Sequence, residues 1–117
     1  MKTESFRGRD WITDLDYTKE ELETILEVAF DLKRKRAVGE PHRLLEGKTL
    51  FMIFYNQSLR TRNSFEAGMF QLGGHAHFLS PSDVYTPTLP EDMVPYQTEA
   101  ISDVARVLSR YGDAIAI

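Results

Sequence analysis

Six consecutive apolar residues, Leu50-Phe51-Met52-Ile53-Phe54-Tyr55, followed at once by a polar turn, restrict this chain more than any other stretch. A run without polar alternation suits a strand covered on both faces, the condition of a parallel sheet between helices. The pattern predicts a strand over residues 49–55 and a helix over 61–72 with Phe65, Met69 and Leu72 inward. Gly73-Gly74 stops that helix, and His75 to Leu79 reads as a second strand. A further helix over 99–111 is expected to bury Ile101, Val104, Ala105 and Leu108. Gly112 breaks it, and Ala114-Ile115-Ala116-Ile117 reads as the start of a third buried strand. The βαβαβ order predicts an α/β fold, a parallel sheet with flanking helices and right-handed crossovers.

Upstream, Thr18-Lys19-Glu20-Glu21 has the form of a capping box. Leu22, Ile25, Leu26, Ala29 and Leu32 then recur at helical spacing. The basic run Lys33-Arg34-Lys35-Arg36 falls where cations suit the helix dipole, so a solvated helix end explains it better than a nuclear-localisation or nucleic-acid role. Gly39 and Pro41 end the helix. Between the second strand and the last helix, residues 80–97 hold Pro81, Pro87, Pro90 and Pro95. They read as a long connection without regular structure, a kind that is often functional. Residues 1–117 suit one domain. A chain whose last residue falls inside a buried parallel strand reads as a truncated piece of something longer.

Chemistry concentrates at Ser58-Leu59-Arg60-Thr61-Arg62, just past the first strand. A helix start carries free N–H groups and partial positive charge, which attract anions. Arg adds a planar fork of donors that matches phosphate oxygens. Two Arg in a first turn oppose the helix dipole, and a bound anion offsets that cost. Ligands in parallel sheets bind at the carboxyl ends of the strands, where this turn lies.

The remaining composition narrows the options. A net charge of −4 and a pI near 5.3 argue against a general nucleic-acid or membrane-surface binder. The absence of Cys excludes disulfides and thiol chemistry. No apolar run approaches a membrane span, and Met1 to Asp10 is polar, without a signal segment, so a cytoplasmic enzyme is the default. His75 and His77 alternate on one strand face and, with His42, make no convincing metal set; partly exposed strand histidines are the simpler reading.

The Ser58–Arg62 segment resembles the Ser-x-Arg-Thr-Arg signature of the aspartate/ornithine carbamoyltransferases. The likeness continues through Ser64-Phe65-Glu66, through Leu72-Gly73-Gly74-His75 and from Glu99 to Tyr111. It covers nearly the whole chain from about Thr18. Phe70-Gln71-Leu72-Gly73-Gly74-His75-Ala76 and Asn56-Gln57-Ser58-Leu59-Arg60 look most like the enzymes acting on N-acylated ornithine, although plain ornithine transcarbamylases also carry Leu-Gly-Gly-His.

The resemblance implies the N-terminal, carbamoyl-phosphate-binding domain of a two-domain transcarbamylase. Its activity would be carbamoyl transfer from carbamoyl phosphate to the amine of ornithine or an N-acylated ornithine, in arginine biosynthesis. It implies no cofactor and no metal, a homotrimer or a multiple of one with sites at subunit interfaces, and neither nucleic acid nor membrane as partner. Ser58, Leu59, Arg60, Thr61 and Arg62 would hold carbamoyl phosphate, with Arg60 and Thr61 catalytic. Thr61 would also donate to the carbonyl oxygen. Arg62 would either touch the phosphate or brace the turn through Glu66, four residues along the same helix face.

Some positions depart from the family. Its mobile loop often offers a Lys to the neighbouring subunit, but Tyr96-Gln97-Thr98-Glu99 has none, leaving Gln97 as the replacement candidate. In the N-acetylornithine type a Trp occupies this loop; Tyr85 lies near that position and an ungapped match puts Thr86 there, so both remain candidates. The family's carbonyl-binding Arg falls just beyond Ile117, and its His-Pro-x-x motif and amine-substrate domain later still. The isolated 117 residues are therefore expected to bind phosphate weakly and not to catalyse transfer. An aspartate-type or orphan carbamoyltransferase is the enzymatic alternative. A non-catalytic phosphate-binding or assembly module is the alternative of another class.

Overall fold

The uniformly apolar run becomes the buried centre of a parallel sheet in the computed structural model, which describes residues 3–117. Met1 and Lys2, which open the polar Met1–Asp10 stretch, lie outside the described residues. Strand β1 (Thr49–Ile53) pairs in parallel with β2 (His75–Leu79) on one side and β5 (Ala114–Ala116) on the other. Helix α2 (Leu59–Gln71) joins β1 to β2, and α3 (Ile101–Tyr111) precedes β5. The order β2-β1-β5 means that the chain leaves β1 to one side and later returns to its other side.

Alternation along β1 divides the core. Phe51 and Ile53 cluster with Val104 and Leu108 of α3, with Leu79 packed against them. Leu50 and Met52 point to the opposite face, where Met52 is fully buried and pairs in register with Phe78. Removing a side chain such as Met52 from water contributes about 1.5–3 kcal/mol. Asp113 ties the start of β5 to the start of β1: it accepts from Lys48 Nζ and from the Thr49 N–H, each at 2.9 Å.

Helix α2 ends as its glycines require. The N–H groups of Gly73 and Gly74 donate to the carbonyls of Phe70 and Met69, at 3.0 and 2.8 Å. This places Gly73 at φ +86°, where a residue without Cβ is favoured.

The segment 80–97 departs from the expected structureless connection. Strand β3 (Thr86–Thr88) pairs in parallel with β4 (Thr98–Ala100), and a 3-10 turn at Pro90–Asp92 lies between them. Pro87 is tolerated because this ladder has only two strands, so both are edges. Pairing of Thr98–Ala100 delays α3 to Ile101. Ile101 and Ala105 are exposed rather than buried, because the covered stripe of α3 narrows to Val104 and Leu108. Strand β5 is not the buried strand expected: it is an edge, and Ala114 and Ile115 are exposed. Phe65 is also partly exposed, at 43%, while Met69 and Leu72 are half-buried.

The chain forms two compact units, one reaching to His42 and the other Arg43–Ile117. The first is built on helix α1 (Lys19–Ala37). Its capping box is complete: Thr18 Oγ1 accepts from the Glu21 N–H, and the Glu21 carboxylate accepts from the Thr18 N–H. That bond, then Arg9, holds the Glu21 carboxyl below the usual carboxylate range. Arg9 pairs with Glu21 at 2.6 Å and lies 4.3 Å from the centre of the Tyr17 ring, which in turn lies tilted against Trp11, centroids 4.8 Å apart.

Candidate functional site

Strand pairing of β1 ends at Ile53, two residues before the apolar run does. Phe54 and Tyr55 therefore leave the ladder and, with Asn56 and Gln57, form the floor of a cleft of about 570 Å³. Ser58, Leu59, Arg62, Asn63 and Glu66 from the start of α2 line it, as do Phe78, Ser80 and Pro81 at the end of β2 and beyond. The cleft thus sits over the carboxyl ends of β1 and β2. Parallel sheets bind ligands at the carboxyl ends of their strands; the strand order itself reverses between β1 and β5, on the other side of β1 from this cleft.

Ser58 is the N-cap of α2, with extended φ −146° and ψ 99°. Its hydroxyl makes no capping hydrogen bond, unlike that of Thr18 at the start of α1. The opening N–H groups of an α-helix have no intrahelical acceptor. At the start of α2 neither a side-chain cap nor an acidic residue in the first turn compensates them. A free hydroxyl and uncapped amides facing a cleft make a donor array for an anion. Within the helix, Asn63 Nδ2 donates to the Leu59 carbonyl at 2.7 Å and Ser64 Oγ to the Thr61 carbonyl at 2.9 Å.

Arg62 lies within the cleft with its guanidinium carbon 3.6 Å from the centre of the Phe78 ring. Its Nε is 3.9 Å from Glu66 Oε2, an ion pair too long for a hydrogen bond. Glu66 is also in the lining, so the cleft carries one cation and one carboxylate rather than a one-sided field. On the far rim, the Ser80 N–H donates to Asp83 Oδ2 at 2.7 Å. That bond, then the Ser80 hydroxyl, holds the Asp83 carboxyl below its ordinary range.

The expected site residues divide. Ser58, Leu59 and Arg62 line the cleft. Arg60 and Thr61 share the same first turn and are exposed, but do not line it. Tyr85, Thr86 and Gln97 lie apart from the lining: Thr86 pairs with Thr98 in the small ladder, the Gln97 N–H donates to the Val94 carbonyl at 3.1 Å, and Tyr85 is half exposed. Sequence reading did not assign Phe54, Tyr55, Asn56, Gln57, Asn63, Phe78, Ser80 or Pro81 to the site. The signal for Ser80 and Pro81 was their place just past the carboxyl end of β2, the end of a parallel sheet at which ligands bind. Among the described residues no group of three or more His, Asp or Glu gathers as metal ligands, and no helix is long and apolar enough to cross a membrane.

Residues 9–117 match the family model described as aspartate/ornithine carbamoyltransferase, carbamoyl-P binding domain. An ornithine carbamoyltransferase of Halalkalibacterium halodurans is 53% identical over 99% of this chain and 34% of its own length. One of Pyrococcus abyssi is 52% identical over 95% of this chain and 32% of its own. The solved structure of ornithine carbamoyltransferase from Pyrococcus furiosus superposes with a TM-score of 0.80 at 51% identity, over 94% of this chain and 32% of that one. A mutant N-acetyl-L-ornithine transcarbamylase complexed with carbamyl phosphate and N-succinyl-L-norvaline gives a TM-score of 0.80 at 38% identity, over 92% and 32%. The chain spans about a third of the length of the relatives it matches.

Proposed function

The chain belongs to the aspartate/ornithine carbamoyltransferase family, and we propose that it forms the carbamoyl-phosphate-binding domain of a cytoplasmic, trimeric carbamoyltransferase acting on ornithine or an N-acylated ornithine in arginine biosynthesis. The observation that carries this reading is the start of α2. An unengaged Ser58 hydroxyl and uncapped amides open into a cleft at the carboxyl end of β1. The higher identity to ornithine carbamoyltransferases, 53% against 38% for the N-acetylornithine enzyme, favours unmodified ornithine as the amine.

The reaction is attack of an amine on the carbonyl carbon of carbamoyl phosphate, passage through a tetrahedral intermediate, and departure of phosphate. It needs little covalent participation from the protein. It needs the phosphate fixed and the developing negative charge met by donors already in place. Ser58 and the N–H groups of Leu59 to Arg62 take the phosphate oxygens. Arg60 closes on the phosphate from the exposed side of the turn, and Thr61 donates to the carbonyl oxygen. Arg62 supplies a cation from within the cleft. Binding the phosphate end alone gives orientation but not transfer, because the amine must be delivered by parts of the protein outside these residues.

Calorimetric titration with inorganic phosphate and with carbamoyl phosphate tests the ligand. Arg60→Ala removes a charge-assisted contact of about 1.5–3 kcal/mol, so affinity should fall about 10- to 150-fold. An unchanged affinity would remove Arg60 from the site. Assay of the longer protein against ornithine, N-acetylornithine, N-succinylornithine and aspartate separates the amine classes. Phosphate binding without turnover on any amine would favour the non-catalytic module.

A further inference from the structure

We propose that Phe78 is a positioning residue for Arg62, holding its guanidinium flat at the cleft so that its N–H edge is free for a phosphate oxygen. The proposal rests on the phosphate-site reading and goes beyond it by assigning a role to an apolar residue of the neighbouring strand. Phe78 is on β2, in register with fully buried Met52, on the sheet face opposite Phe51 and Ile53. Its backbone is therefore set by the most buried part of the sheet. Phe54 meets its ring at a steep 62°, with centroids 6.2 Å apart. A ring anchored in this way presents one face to α2, and the Arg62 guanidinium carbon sits 3.6 Å from its centre.

Stacking and hydrogen bonding use different parts of a guanidinium. The π face is attracted to the ring quadrupole, whereas the N–H donors point outward in the plane. Arg62 makes no side-chain hydrogen bond among the described residues, and its one ion pair, to Glu66, reaches Nε at 3.9 Å. Its terminal N–H groups thus remain available while the ring restricts where they point. A long, rotamer-rich side chain held in advance loses less freedom when the anion arrives. Phe78 acts through Arg62 and donates nothing itself.

The test uses this chain with Phe78→Leu, Phe78→Tyr and Arg62→Ala, each verified as folded by circular dichroism and urea unfolding. The first readout needs no ligand. The Arg62 side-chain Nε–Hε proton should be shifted upfield by the ring in the wild type and in Phe78→Tyr, and should return to its free position in Phe78→Leu. A wild-type resonance at the free position overturns the proposal. The second readout is affinity for inorganic phosphate. Phe78→Leu should weaken it about 2- to 30-fold, the span of a cation–π contact, with Phe78→Tyr restoring it. In an Arg62→Ala background Phe78→Leu should have no further effect; a full additional loss there overturns the proposal. A wild type that shows the upfield shift but takes up no phosphate refutes the phosphate reading and the positioning role together, whereas normal phosphate binding by Phe78→Leu refutes the positioning role alone.

Discussion

The same substitution, Gly→Ala, should have opposite signs at Gly112 and Gly68. Gly112 follows α3 with φ −113° and ψ 162°, a conformation open to any residue, so Ala there carries no backbone penalty. By entropy alone it would stabilise, since Ala restricts the unfolded chain by about 0.4–1 kcal/mol more than Gly. Packing opposes this. A Cβ at Gly112 would lie 2.5 and 2.8 Å from two edge carbons of the Phe51 ring and 3.5 Å from the Leu108 carbonyl. Phe51 is only 6% exposed and packs with Ile53, Val104 and Leu108, so its rigid ring has nowhere to retreat without disturbing β1 and α3. Overpacking of this kind costs about 1–3 kcal/mol, and an overlap this deep belongs in the upper half of that range. The net expectation is a loss of about 1–2.6 kcal/mol. Gly68 lies inside α2 with nothing within 4 Å of its would-be Cβ, so Gly68→Ala should gain about 0.5–1 kcal/mol from helix propensity. Urea unfolding followed by circular dichroism measures both, with the midpoints moving apart and the slopes unchanged. If Gly112→Ala matched or exceeded the wild type, the packing of Phe51 against the α3–β5 junction would be wrong. The double variant with Phe51→Leu should recover part of the loss attributed to the clash.

Thr18→Ala removes the hydroxyl that caps α1 and should cost about 0.5–2 kcal/mol, read as a lowered urea midpoint; Thr18→Ser should retain most of it. Asp113 has its carboxyl held below the ordinary range, first by Lys48 and then by the Thr49 N–H. Its stabilising effect is complete above the unfolded-state value near pH 4 and is lost as pH falls through the lower folded-state value. Stability of the wild type measured against pH should therefore fall more steeply below about pH 4 than that of Asp113→Asn; parallel curves would mean that Asp113 does not couple β1 and β5 electrostatically.

Much of this architecture could be read from the chain because its signals are local and agree with one another. The apolar run at Leu50–Tyr55 reads as a doubly covered strand, and Thr49–Ile53 is the central strand of three, with Phe54 and Tyr55 leaving it for the cleft. The Gly73-Gly74 pair marked the end of α2 at the right place because a left-handed turn there requires it. The Thr18 box specified the first turn of α1 to the residue. What escaped depended on contacts distant in sequence. The β3–β4 ladder consists of two three-residue strands, too short for alternation to register, with a proline in one. Ile101 and Ala105 lie at ordinary helical spacing, and only the position of the sheet decides that Val104 and Leu108 carry the buried stripe. At the site, the Ser58–Arg62 turn is a continuous segment that sequence reading could single out, and Ser58, Leu59 and Arg62 of it line the cleft while Arg60 and Thr61 do not. Phe78 could not be singled out, since a strand aromatic reads as core until its partner on α2 is located.

The central claim is that the first turn of α2 is a cradle for a phosphate group. Titration of inorganic phosphate into the isotopically labelled chain, followed by amide chemical shifts, tests it residue by residue. Saturable shifts are expected centred on Ser58, Leu59, Arg60, Thr61 and Arg62, with smaller ones at Ser80, and they should be lost in Arg60→Ala. Shifts confined to the basic Lys33–Arg36 end of α1, with the Ser58–Arg62 amides unmoved, would contradict it.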